Sequence, residues 1–168
     1  MEAIYKRRSI RKYKKDAVEK EKAEALVRAA TYAPSSNNRQ PWVFIICDER
    51  QVLDSIRKAH PYSSMLDKAP LAIVVCADLD VYPPDANSDI YMLDCAAATQ
   101  NILLEAYDLG LGTCWLGVSP YETRMADIGA IFDLPANIVV HSIIAVGYPD
   151  EEKDSLPRKN TTVHYNKF

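Results

Sequence analysis

Two different periods of apolar and polar positions run along this 168-residue chain and divide it into helices and strands. In "VEKEKAEALVRAATYA" (18–33), Ala23, Leu26, Val27, Ala30 and Ala33 recur at helical spacing on one face, and Pro34 stops the run. "ERQVLDSIRKA" (49–59) reads as another amphipathic helix, as does "YETRMADIGAIFDLP" (121–135), ended by Pro135. A short helix is predicted over Glu2–Arg8. Unbroken apolar runs predict buried strands at "WVFIIC" (42–47), "LAIVVCA" (71–77) and "NIVVHSIIAVGYP" (137–149), with "GTCWLGV" (112–118) a strand or extended segment. "HPYSSMLDKAP" (60–70) is a loop with one helical turn.

The segment Asp89–Leu109 follows a different pattern. Asp94, Asn101, Glu105 and Asp108 form a narrow polar stripe, while Ala96, Ala97, Ala98, Ile102, Leu103, Leu104 and Ala106 cover most of the remaining girth. Such a helix, about 30 Å long at 1.5 Å per residue, is buried on several sides, inside the domain or against another subunit. Ser88 is its expected cap and Gly110 its stop. The stripe carboxylates are expected to be solvated or interfacial, not a catalytic pair. Strands alternating with long helical insertions predict an α+β architecture in one domain spanning 1–168.

Charge is spread unevenly. The chain has 20 Lys and Arg against 23 Asp and Glu, a net charge of -3, which excludes a generally basic surface. Yet residues 1–16 hold Lys6, Arg7, Arg8, Arg11, Lys12, Lys14 and Lys15 against Glu2 and Asp16, a surplus of five cations. A guanidinium fork matches phosphate oxygens bidentately and keeps its charge at any working pH. A solvated helix end and a basic nucleic-acid-binding arm are the alternatives, the latter opposed by the acidic remainder. No apolar run follows the basic start, and the longest one, Leu71–Ala77, is too short to span a bilayer. The four cysteines form no CxxC pair and are expected to be buried free thiols. A cytoplasmic location is expected.

Few motifs carry chemistry alone. "GLGTCWLG" (110–117) runs helix, glycines, strand, the reverse of a phosphate-cradling loop, and reads as a helix stop with close backbone packing. No Walker loop is present. "PSSNNRQPW" (34–42) concentrates hydroxyls, amides and a guanidinium able to hydrogen-bond the edge of a flat heterocycle. His60, His141 and His164 show no metal-ligand spacing and read as structural. No nucleophile–base arrangement can be argued, and no metal site is expected.

Taken together, "RRSIR", "APSSNNRQPW", "DCAAATQNILLEAYDLGLGTCWLG" and the closing "GYP" with "PRKNTTVHYNKF" resemble, in order and spacing, the nitroreductase family of FMN oxidoreductases. The resemblance implies a sandwich with a central, mostly antiparallel sheet flanked by helices, in an intertwined homodimer with FMN sites between subunits. It implies a C-terminal arm, about 150–168, wrapping the partner. It places Arg7, Ser9 and Arg158 toward the phosphate, and Arg8 and Arg11 along the ribityl and pyrimidine side. Pro34, Ser35, Ser36 and Asn38 come from the other subunit, with Gln40 reaching the flavin from the same segment. Leu116 and Gly117 offer backbone near the hydride-accepting nitrogen. It assigns no catalytic side chain. The implied reaction is ping-pong hydride transfer from NADH or NADPH to a nitroaromatic, quinone or similar small acceptor, with no nucleic-acid or membrane partner. Flavin reduction, dehalogenation or ene-type reduction are alternatives in the same family. Many relatives carry an amide or lysine in the loop matching "HPYSSMLDK"; here Tyr62, Ser63 and Ser64 stand there, and this loop is expected to shape the acceptor pocket.

Overall fold

A computed structural model of the chain describes residues 2–85, 89–154 and 157–168; the expected cap Ser88 lies outside them. Among these residues, five α-helices and four strands follow in the order α1 (Glu2–Lys6), α2 (Lys20–Ala30), β1 (Trp42–Cys47), α3 (Arg50–Ala59), β2 (Leu71–Asp78), α4 (Ile90–Asp108), β3 (Gly112–Gly117), α5 (Glu122–Ile131) and β4 (Ile138–Gly147). The strands form one sheet in the order β1-β2-β4-β3, and every neighbouring pair is antiparallel.

The unbroken apolar run of β2 is explained by burial on both faces. Ile73, Val75 and Ala77 pack with Leu26, Cys95 and Ile102 beneath α2 and α4. Val74, Cys76 and Ile143 point the other way, onto Leu53, Ile56 and Ile128 of α3 and α5. The sheet is thus a middle layer between two helix pairs. All four cysteines are buried and free, and burial pushes the Cys76 and Cys95 thiols up to about 12, so they stay protonated.

Two local features set the backbone around β3. The first is a bulge in β4: Val75 opposes Ser142 while Cys76 opposes Val140, so His141 is the extra residue. Its carbonyl accepts the N–H groups of Val118 and Ser119, and its ring tilts against Trp115 at 5.9 Å. The second concerns the N-terminal segment. α1 ends at Lys6, two residues earlier than its sequence suggests, because the chain after it is drawn into extended pairing. Ser9 bridges Thr113 in parallel, the Ile10 N–H donates to the Thr113 carbonyl at 2.9 Å, and Lys14 N–H donates to the Tyr148 carbonyl. Gly112 makes the approach possible: a Cβ there would lie 2.9 Å from Ile10 Cβ.

Candidate functional site

The basic segment lies flat along β3. Ser9 is pinned through its backbone to Thr113, and Lys153 Nζ donates to the Ser9 carbonyl at 2.8 Å. The carboxylate of Glu151 accepts the backbone N–H groups of Arg11 and Lys12 and pairs with Lys153. Loop and arm therefore fix the backbone, while the side chains of Arg8 and Arg11 donate only to backbone carbonyls. Arg8 Nη1 donates to the carbonyls of Tyr5 and Arg7. None of the guanidiniums of Arg7, Arg8 and Arg11 forms an ion pair with a carboxylate among the described residues. Burial, then repulsion from Arg8 and Arg158, lowers the Arg7 pKa from its ordinary value. Cations crowded in this way gain most from a bound anion.

Two hollows flank the segment. One, of about 390 Å³, is bounded by Arg7, Arg8, Tyr107 of α4 and the 151–154 turn. The other, of about 750 Å³, opens between Arg11, the C-terminal half of β3, the 60–65 turn and the start of α5. Nothing lies within 4 Å of the position a Cβ would take on Gly117, so the floor there is bare backbone.

The second polar segment is built by strain and by one buried acid. Asn37, Asn38 and Gln40 all adopt positive φ, at 50°, 56° and 51°. That conformation is costly for non-glycine residues and survives where surrounding bonds hold it. Ser35 Oγ accepts the Gln40 N–H at 3.0 Å, and the Gln40 amide donates to Asn38 Oδ1. Ser36 N–H donates to Asp94, and Arg39 ties the segment to the Val81 carbonyl.

The structure therefore brings Arg7, Arg8, Ser9, Arg11, Leu116 and Gly117 together, with Arg158 close enough to repel Arg7. It does not bring Pro34, Ser35, Ser36, Asn38 and Gln40 to them. That segment is anchored at Asp94, whereas Tyr107, 13 residues further along α4, borders the Arg7 side. The two anchor points are about 20 Å apart along the helix.

Three positions differ from their sequence reading or escape it. Asp94 is no member of a solvated stripe: it is buried, with its second oxygen accepting the Tyr82 hydroxyl at 2.7 Å. Ser63 faces inward, donating to the carbonyl of His60, so of Tyr62, Ser63 and Ser64 only Tyr62 and Ser64 line the larger hollow. Arg124, with no motif around it, donates to the Gly117 carbonyl at 2.8 Å. His60 shares that carbonyl through Nε2 at 3.0 Å, while its Nδ1 accepts the Tyr62 N–H, which fixes the tautomer.

A model of the nitroreductase family matches residues 4–148. This chain belongs to that family. Among curated relatives, the nitroreductase-family chain is 46% identical over 156 residues to a protein of Archaeoglobus fulgidus provisionally named NADH dehydrogenase/NAD(P)H nitroreductase, covering 92% of this chain and 87% of that one. A crystal structure from Parabacteroides distasonis, provisionally given the same name, superposes with a TM-score of 0.92 at 40% identity, covering 99% of this chain and 97% of the other. An FMN-dependent nitroreductase of Clostridium difficile gives a TM-score of 0.88 at 35% identity, covering 99% and 98%. Among the described residues, no helix is long and apolar enough to cross a membrane, and no cluster of His, Cys, Asp and Glu could hold a metal ion.

Proposed function

We propose that this chain is an FMN-dependent oxidoreductase that takes hydride from NADH or NADPH and passes it to a nitroaromatic, quinone or similar acceptor by a ping-pong mechanism, working as a homodimer. The observation that carries the reading is the pair of polar segments. Each is fixed in a ligand-ready shape, yet one copy holds them at distant points of α4. A second copy resolves this by supplying its 34–40 segment to the arginines of the first. α4 offers the contact: Leu93 is 73% exposed and is followed on the same face by Ala97 and Leu104, both half-buried. The arm over 150–168 would then wrap the second copy.

The residues present fit FMN. Arg7 and Ser9, joined by Arg158, would donate to a phosphate monoester, Arg7 having no carboxylate ion pair among the described residues. Arg8 and Arg11 continue along the ribityl and pyrimidine side, and Leu116 with the side-chain-free Gly117 lets a flat ring approach the backbone. Pro34, Ser35, Ser36, Asn38 and Gln40 of the second copy close the other side. Bound there, FMN would supply two-electron hydride chemistry between the nicotinamide and the acceptor. Arg11, whose backbone is held by Glu151, would bring a positive charge to the side of the ring where negative charge gathers. His60, with both ring nitrogens engaged, orients the Gly117 turn and moves no proton.

The visible absorption spectrum of the purified protein tests this reading. Expected is a yellow protein releasing about one FMN per chain and bleached by NADH or NADPH. A colourless protein that takes up no added FMN overturns it.

A further inference from the structure

We propose that Arg124 makes the larger hollow selective for planar acceptors bearing an anionic oxygen group, such as an aromatic carboxylate, over neutral acceptors of the same shape. The inference rests on the proposed FMN function and narrows its substrate class.

The geometry begins with the guanidinium. Arg124 lies over the ring of Tyr121, Cζ to centroid 4.3 Å, and 5.8 Å from the ring of Tyr62. One nitrogen is committed to the Gly117 carbonyl at 2.8 Å; its remaining N–H donors have no hydrogen-bond partner among the described residues. The group is thus held in place by one hydrogen bond and an aromatic face while its fork stays open. Tyr62 and Tyr121 are themselves 72% and 58% exposed, rings with one free face for a flat ligand to lie against.

The charge balance points the same way. Arg11 and Arg124 border this hollow, and no carboxylate does among the described residues. Glu122 and Asp127 line a neighbouring hollow that Arg124 and Tyr121 also border, but neither carboxylate forms an ion pair with Arg124 among the described residues. His60 adds no charge at neutral pH, since burial lowers its pKa. A ligand entering here therefore meets two cations with no internal counter-ion, and its own anionic group supplies the missing charge. A neutral amide in the same place offers the fork one uncharged acceptor oxygen where a carboxylate offers two charged ones. Charge-assisted, forked recognition of this kind is worth roughly tenfold in affinity.

The test is calorimetric binding of 4-nitrobenzoate and 4-nitrobenzamide to the purified protein without reductant, with NAD and NADP in their oxidised forms as controls. The wild type is expected to bind the benzoate about tenfold tighter than the amide. Arg124→Gln should bring that ratio close to one by weakening the benzoate alone. Arg124→Lys, which keeps the charge and loses the fork, should fall between them. Oxidised NAD and NADP should be affected equally. An absent preference in the wild type, or a ratio unchanged in Arg124→Gln, overturns the proposal. A selective loss of NADP with an unchanged benzoate ratio also overturns it and assigns Arg124 to the nucleotide phosphate. The two readings fail separately: a yellow protein without the benzoate preference defeats this inference alone, whereas a colourless protein that retains it defeats the FMN reading.

Discussion

The carboxylate of Asp94 accepts the backbone N–H of Ser36 at 3.0 Å, coupling the second turn of α4 to a loop 58 residues earlier in the chain. Its other oxygen takes the Tyr82 hydroxyl, so this one buried acid holds both the 34–40 segment and the turn that follows β2. Asp94→Ala leaves two donors without acceptors, at a cost of about 2–4 kcal/mol. Asp94→Asn keeps an acceptor for Ser36 and should cost less than half as much. If Asp94 positions the cofactor segment, the alanine variant also loses FMN while its fold persists below the denaturation midpoint. Urea unfolding paired with flavin released per chain reads both effects.

Gly112 and Ile10 meet so closely that the glycine cannot be changed without moving the basic segment. Three side-chain atoms of Ile10 lie 2.9 Å from the would-be Cβ, and a β-branched side chain cannot swing clear cheaply. Gly112→Ala is expected to cost about 1–3 kcal/mol by overpacking. It should also loosen the Ser9–Thr113 bridge, and with it the arginines. Ile10→Ala combined with Gly112→Ala relieves the clash, so flavin retention should recover in the double variant relative to the single one.

Much of this arrangement is legible in the residues. The strands are legible because β2 and β4 are buried on both faces and are written as unbroken apolar runs. The glycines at 110–112 read correctly as a stop and a close approach, since their order contradicts a phosphate loop. Long-range effects are not legible. α1 looks helical to Arg8 by local pattern, and only the pairing of Ser9 and Ile10 with β3 shortens it. Asp94 shares helical spacing with polar neighbours, so no local signal separates the buried acid from the stripe. Arg124 sits in an ordinary amphipathic helix; of the aromatic residues that frame it, Tyr121 stands three residues ahead, but Tyr62 comes from the distant 60–68 loop. The arginine cluster is visible as a charge imbalance, but its lack of carboxylate partners depends on how distant segments fold around it.

Leu93 gives the proposed dimer a direct test. A leucine 73% exposed on an otherwise deeply packed helix is an unpartnered apolar contact. Leu93→Glu should leave the monomer fold intact, because the side chain touches little within its own copy. If α4 packs on a second copy, the variant shifts to monomer in light scattering. It should lose FMN in parallel, because the 34–40 segment no longer reaches the arginines. A variant that stays dimeric with full flavin removes α4 from the interface.

His141 should make the protein sensitive to mild acid. Burial lowers its pKa to about 4, against which a backbone contact with Met92 works only in part. The unfolded chain holds this imidazole at about 6.5 and so binds more protons than the native state between these values. The contribution is fully present above pH about 6.5 and is lost as pH falls toward 4. Between pH 7.5 and 5 the loss from His141 amounts to about 2 kcal/mol. His60, lowered in the same direction by burial, adds to it. Urea unfolding at intervals across that range should show stability rising with pH, and His141→Gln should flatten the slope while lowering stability at pH 7.5 through the loss of packing against Trp115. A slope unchanged in His141→Gln would mean that the bulge admits a protonated imidazole, with Ser142 turning its hydroxyl oxygen toward the charged ring.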